Sequence, residues 1–256
     1  GQWITSNGDA LDQADIDGCV DMDLAPMGRR DGWFYCAGLD LGIKHDHSAL
    51  VVVGGNRKTQ QLQLAYAESW KPIRASGKVD LMQVEATCLS MFDRYRWATC
   101  GYDPYQCELM AQRLTTHRVK MKEVTFTGAN LNNMASTLLD VFRSRRIVLY
   151  NHQPLIRDLS RLTIVEKSYG YKLEATRNED GHADVATSLA IALPLAVEEL
   201  KRTPKIAGAV TEQVGAWSPT SRADHFRHVL RQARSGGVSE YQEGFARAMI
   251  EQARRF

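Results

Sequence analysis

WFYCAGLDLG (residues 33–42) followed closely by SALVVVGG (48–55) is the stretch that decides the fold class. Both runs have the β-branched, aromatic and small-residue character of buried strands, and QLQLAYAESW (61–70) follows in the same vein. Gly54-Gly55-Asn56 has the chemistry of a tight reversal between antiparallel strands, so the three runs read as a β-meander. After the meander the pattern changes. From Val79 to Tyr95 the apolar positions Leu81, Val84, Leu89 and Phe92 approximate a helical stripe, and Thr99–Tyr102 is a short buried strand ending at Asp103-Pro104. A helix at about 105–116, a strand at about 119–126 and a helix at about 128–144 follow. Beyond these come a short apolar segment at 147–150, a Pro-started helix at 154–163, a hairpin through 168–171 and a long helix from about Asp180 to Lys201. In a meander followed by an αβ unit the fourth strand pairs parallel to the first. The expected fold is therefore α/β, with a central mixed five-stranded sheet of order 3-2-1-4-5, strand two antiparallel, flanked by helices.

Outside this body the character shifts. Residues 1–31 are polar and Asp-rich with no sustained period, and read as a linker segment ahead of a folded domain at 32–202. Pro204 and the Gly/Ser/Pro-containing stretch 205–222 form a second linker, followed by two short amphipathic helices near 222–234 and 239–254. Residues 203–256 thus form a linker and basic helical C-terminal tail. From residue 201 onward there are ten Lys/Arg against five Asp/Glu, although the whole chain carries only +2. A basic tail suits a polyanion or an acidic partner surface, and equally a solvated helix face.

With 44% hydrophobic and 24% charged residues over 256 positions, the composition excludes disorder, collagen and coiled coil. No apolar stretch approaches the ~18 residues of a membrane span, and no secretory leader is visible, so no membrane partner is expected. The five cysteines lack a C-x-x-C pair and read as reduced thiols.

Three acids occupy positions where burial favours something else. Asp40 interrupts an apolar strand, Asp103 ends another, and Asp184 sits in the first turn of a mostly apolar helix. In the expected sheet the C-terminal ends of strands one and four adjoin, about 4.8 Å apart, so Asp40 and Asp103 can approach one cation, with a helix N-terminus bringing the third acid. Carboxylates this close repel and raise one another's pKa unless a cation neutralises them. Mg²⁺ or Mn²⁺ suits hard oxygen donors, and no His/Cys set at zinc spacing is present. Two such ions would activate water and stabilise the leaving oxygen of a phosphodiester. Taken singly, the acids also suit plainer roles: a helix cap for Asp103, a helix-dipole partner for Asp184 and a buried hydrogen-bonded residue for Asp40.

GLDLGIKHDHSALVVV (38–53), YDPYQCELMAQRL (102–114) and DGHADVATSLAIALPLA (180–196) resemble, in order and spacing, the three acidic motifs of the nuclease domain of tailed-bacteriophage terminase large subunits. QWITSNGDALDQADIDGC (2–19) is similar to the segment joining motor to nuclease in that family, so the resemblance covers about residues 2–200. It implies an RNase H-like fold and metal-dependent endonucleolytic cutting of concatemeric double-stranded DNA during genome packaging in the host cytoplasm. The implied metal-binding and catalytic acids are Asp40, Asp103 and Asp184, with two divalent cations, Mg²⁺ or Mn²⁺, as cofactors. Asp46 matches an accessory acidic position in the turn after the first strand, although beside Ser48 it equally suits an Asx-type turn. His182 is a second accessory candidate, able to orient a ligand or approach a phosphate, and Asp180 reads as a helix cap. Many relatives carry two adjacent acids at the third motif, where this chain has Ala183 before Asp184.

The implied partners are double-stranded DNA, the terminase ATPase motor domain, the small terminase subunit, and a portal or procapsid docked through the C-terminal tail. No G-x-x-x-x-G-K-[ST] motif occurs, so this sequence is expected to be an isolated C-terminal portion without translocation activity of its own. Candidate phosphate contacts are Lys44, His45 and His47 beside the site, and Lys167 and Lys172 on the hairpin. Phosphate-dominated binding implies weak, sequence-tolerant, salt-sensitive cleavage. Three other readings stay open: another RNase H-like nuclease of the resolvase or transposase kind, a non-catalytic packaging adaptor, and an actin-like ATPase. The last needs a duplicated half with a second phosphate loop, which is not seen.

Overall fold

The computed structural model describes residues 8–42, 47–175 and 183–202. Lys44, His45, Asp46, Asp180, His182 and the tail 203–256 lie outside the described residues. Along the chain the elements are β1 (Gly8–Asp9), α1 (Gln13–Asp17), β2 (Val20–Asp21), β3 (Trp33–Asp40), β4 (Ser48–Asn56) and β5 (Gln61–Trp70). Then come α2 (Leu81–Tyr95), β6 (Thr99–Tyr102), α3 (Pro104–Thr116), β7 (Met121–Glu123), α4 (Gly128–Arg143) and β8 (Ile147–Tyr150). The series closes with α5 (Gln153–Ser160), β9 (Leu162–Lys167), β10 (Gly170–Ala175) and α6 (Asp184–Lys201).

Among the described residues the main sheet has seven strands in the order β2-β8-β5-β4-β3-β6-β7. The meander β3-β4-β5 is antiparallel, and β6 pairs parallel to β3 in the register Leu39↔Tyr102. The expected sheet of five strands is thus corrected to seven, because β8 adds parallel to β5 through Leu62↔Ile147 and the two-residue β2 adds to β8. β1, β9 and β10 form a separate antiparallel sheet.

Side-chain alternation sends Phe34 and Cys36 of β3, and Val51 and Val53 of β4, into a core with α4 and α6. Tyr35, Ala37 and Leu39, with Leu50 and Val52, enter a second core with α2 and α3. β4 is buried on both faces, which explains why its sequence is a continuous apolar run and not an alternating one.

The reversal expected at Gly54-Gly55-Asn56 belongs instead at 57–60, since all three residues lie inside β4. The glycines serve packing: a Cβ at Gly55 would come within 2.2 Å of the Phe34 ring, with which it is paired across the ladder. The segment expected as a linker, 1–31, is integrated into the fold from residue 8. β1 pairs with β9, β2 with β8, and Ala10, Leu11, Ile16 and Cys19 are buried in the α4/α6 core. All five cysteines are buried and unbridged, and burial pushes Cys19 up to about 11 and Cys36 up to about 12. No helix among the described residues is long and apolar enough to cross a membrane.

Helix α6 lies directly on β3 and β6, and two glycines permit it. A Cβ at Gly38 would sit 2.1 Å from the Ser188 carbonyl oxygen, and one at Gly101 would sit 2.7 Å from Ile191 Cγ2. Gly38 and Gly101 are direct partners across the parallel ladder, so the helix axis can settle over that pair. Ser188 Oγ then donates to the Ala49 carbonyl at 2.9 Å, tying the second turn of the helix to β4. The first turn is thereby held over the end of the sheet where β3 and β6 finish.

Candidate active site

Asp40 is the last residue of β3, and Asp103 directly follows β6. Because Leu39 pairs with Tyr102, the two acids stand side by side at the ends of adjacent parallel strands, separated by roughly one strand spacing of ~4.8 Å. Asp184 opens α6, which crosses the same two strands. All three line one cleft of about 160 Å³, together with Leu41, Gly42, His47, Tyr105 and Gln106.

Each acid is set differently. Asp103 occupies the N-cap position of α3, with Pro104 at the first helical position, and its side chain borders the cleft. Burial raises its pKa, opposed by the backbone amide of Tyr105. Asp184 is only 7% exposed and lies 3.9 Å, Oδ2 to Nδ1, from His47. Ser48 Oγ bridges both the amide and the carbonyl of Gly42, which draws together the two ends of the loop bearing His47.

Of the expected DNA contacts, two lie beside acidic side chains. His47, a candidate phosphate contact in the loop beside the site, is buried at the cleft next to Asp184. Lys172 is ion-paired with Glu174 at 3.0 Å along β10. Lys167 is exposed near the hairpin tip. Tyr105, which sequence reasoning passed over, is 85% exposed at the cleft mouth, and an aromatic one residue beyond Asp103-Pro104 was the signal available.

The residue before Asp184 is held in an unusual conformation. Ala183 has φ 64° and ψ 43°, in the left-handed region, while being 1% exposed. Glycine there relieves the strain but loses a buried methyl, so Ala183→Gly is expected to change stability by no more than about 0.5 kcal/mol. Ala183→Val, β-branched at positive φ, is expected to cost at least about 2 kcal/mol. Urea unfolding midpoints of the two variants check this, and a costly glycine variant would contradict it.

No protein-family model matches the chain, and no curated protein matches it in sequence. Solved structures do match in fold. The large terminase of bacteriophage HK97 superposes with a TM-score of 0.61 at 14% identity, covering 74% of this chain and 44% of that one. The large terminase nuclease of thermophilic phage G20c with bound magnesium gives 0.54 at 17% identity, covering 70% and 94%, and a cobalt-bound form of it also gives 0.54. The nuclease domain of the Thermus phage P74-26 large terminase gives 0.52 at 18% identity, covering 70% and 92%. The chain therefore has the RNase H-like fold of phage large terminase nucleases, and spans under half the length of the HK97 protein.

Proposed function

We propose that this chain is the nuclease of a phage large terminase, cutting double-stranded concatemeric DNA in the host cytoplasm during genome packaging. The observation that carries the reading is the convergence of Asp40, Asp103 and Asp184 on one cleft at the end of the β3–β6 pair. The G20c nuclease, which shares the fold, takes magnesium and cobalt in its solved structures.

The donor set fits a hard divalent cation: three carboxylates, with no cysteine lining the cleft. Among the described residues no three His, Cys, Asp or Glu side chains are close enough to enclose an ion as they stand. A cation shared by the carboxylates would draw them inward, offsetting their mutual repulsion. In this reading Asp40, Asp103 and Asp184 hold two divalent ions, Mg²⁺ or Mn²⁺. Bound there, such ions supply water activation and charge neutralisation for in-line phosphodiester hydrolysis. Of the chain's own groups, Asp184 keeps its place through the α6–sheet contact, and His47 fills the space beside it. Tyr105, at the mouth, would meet the sugar or base next to the scissile phosphate.

Lys44, His45 and the exposed Lys167 are the proposed backbone contacts, and Asp46 and His182 the accessory groups. An ATPase motor, a small terminase subunit and a portal reached through residues 203–256 are the proposed protein partners. The direct test is supercoiled plasmid incubated at low salt with Mg²⁺, Mn²⁺ or EDTA. Nicked and linear products are expected only with a divalent ion, and products in EDTA would contradict the reading.

A further inference from the structure

An α-helix begins with backbone N–H groups that have no intrahelical partner, and a Ser, Thr, Asp or Asn at the N-cap ordinarily satisfies one or two of them. Helix α6 lacks this device. Its N-cap is Ala183, in the left-handed region, with no side-chain cap, and the amides that follow belong to residues 3% (Val185) and 0% (Ala186) exposed. Orphan donors buried in this way are costly.

The missing acceptor comes from another helix. Asp158 of α5, 5% exposed, accepts a hydrogen bond from the Val185 amide at 3.1 Å through Oδ2, and the neighbouring Ala186 amide also favours its charged form. Its other oxygen, Oδ1, is held by Arg161 Nη2 at 2.7 Å. One carboxylate thus divides its oxygens, one side fixed to its own helix end and the other gripping the first turn of α6. Helix α5 is itself capped, by His152 Nδ1 accepting from the Leu155 amide at 3.2 Å. Asp184 is the residue immediately before the gripped amide.

We propose that Asp158 is a positioning residue that caps α6 in place of the absent N-cap side chain, and so fixes Asp184 at the cleft. This rests on the nuclease reading for its catalytic consequence, though the capping contact does not. The role requires an acceptor at a set position and not a charge as such. Asn at 158 keeps an acceptor oxygen for the Val185 amide at the same reach and gives up only the bond from Arg161, which is a cost to stability, whereas Glu keeps the charge and displaces it by one methylene.

The test is a series of Asp158→Ala, Asp158→Asn and Asp158→Glu, each assayed for plasmid cleavage well below its own melting temperature, with Mg²⁺ titrated. Outer residues that orient metal ligands are worth 10–100-fold in activity or metal affinity, so Asp158→Ala is expected to lose about that factor in kcat or in Mg²⁺ half-saturation. KM for DNA should stay within about twofold, since no DNA contact is removed. Asp158→Asn should remain within about threefold of the parent and outperform Asp158→Glu. The Asn/Glu order keeps the test decisive should Asp158→Ala not fold, and Glu outperforming Asn would overturn the proposal.

A parent that cleaves, with Asp158→Ala cleaving equally well at the same Mg²⁺ half-saturation, overturns the positioning role alone. A parent without divalent-dependent cleavage overturns the nuclease reading, and Mn²⁺-induced thermal stabilisation then decides the positioning role. That stabilisation is expected in the parent and Asp158→Asn and absent in Asp158→Ala; equal shifts in all three overturn it.

Discussion

Asp40→Ala and Asp184→Ala are each expected to lower divalent-dependent plasmid cleavage by on the order of 10³-fold or more, equivalent to about 4 kcal/mol of transition-state stabilisation. The two acids reach the cleft by independent routes, one as the last residue of β3 and the other as the first of α6. Loss of either leaves the proposed cations with an incomplete set of carboxylates, so the double variant should be hardly worse than each single one, as groups that act as a unit are not additive. Stability should move the other way. The acids line a cleft and add no apolar packing to the core, and any mutual repulsion in the metal-free chain is relieved when one is removed. The expected signature is therefore activity lost with the melting temperature in EDTA unchanged or raised. Activity retained in both variants would remove these acids from the chemistry. Activity lost together with a collapse in melting temperature would assign them a role in folding instead.

How far this site could be read in advance depended on the range of the interaction involved. Asp40 and Asp103 were legible because a strand-end acid inside an apolar run is a local anomaly, and because a meander followed by an αβ unit brings those two strand ends together. Asp184 was legible as an acid opening an apolar helix. The edge strand β2 and its neighbour β8 escaped because two- and four-residue strands show no period, and β2 has only Val20 and Asp21. Residues 8–31 read as a linker because their few buried groups, among them Leu11, Ile16 and Cys19, are scattered among aspartates and reveal their packing only once α4 and α6 are in place. Gly54 and Gly55 have the local signature of a turn, and the ring of Phe34, which excludes any side chain there, comes from a different strand. Asp158 carried a local signal that was passed over: it falls within the stripe Leu155, Leu159, Leu162, where a solvated acid has no place. What it pairs with is 27 residues away in sequence, and no local pattern reports that.

The close seating of α6 yields the second large effect, in the graded series Gly28→Ala, Gly101→Ala and Gly38→Ala. A Cβ at Gly28 meets nothing within 4 Å, and this variant should stay within about 0.5 kcal/mol of the parent. At Gly101 the new methyl meets Ile191 Cγ2 at 2.7 Å and Leu195 Cδ1 at 3.0 Å, side-chain ends that can turn aside, for a cost of about 1 kcal/mol. At Gly38 it meets backbone: the Ser188 carbonyl oxygen at 2.1 Å and the Ala192 nitrogen at 2.9 Å, which no rotamer change can move. The helix must lift from β3, and a loss of about 3 kcal/mol is expected, at or beyond the usual range for overpacking and a large part of a domain's ~5–15 kcal/mol. Lifting α6 also strains the Ser188–Ala49 bond and carries Asp184 away from Asp40 and Asp103. Gly38→Ala should therefore lose cleavage even at temperatures where it is fully folded, whereas Gly101→Ala should keep most of its activity there. Urea unfolding combined with plasmid cleavage separates the two consequences. A Gly38→Ala variant as stable as Gly28→Ala would show that α6 is not seated on the β3–β6 pair. One that is destabilised yet fully active would show that the cleft tolerates displacement of the helix, and that Asp184 is not held to its place by the sheet.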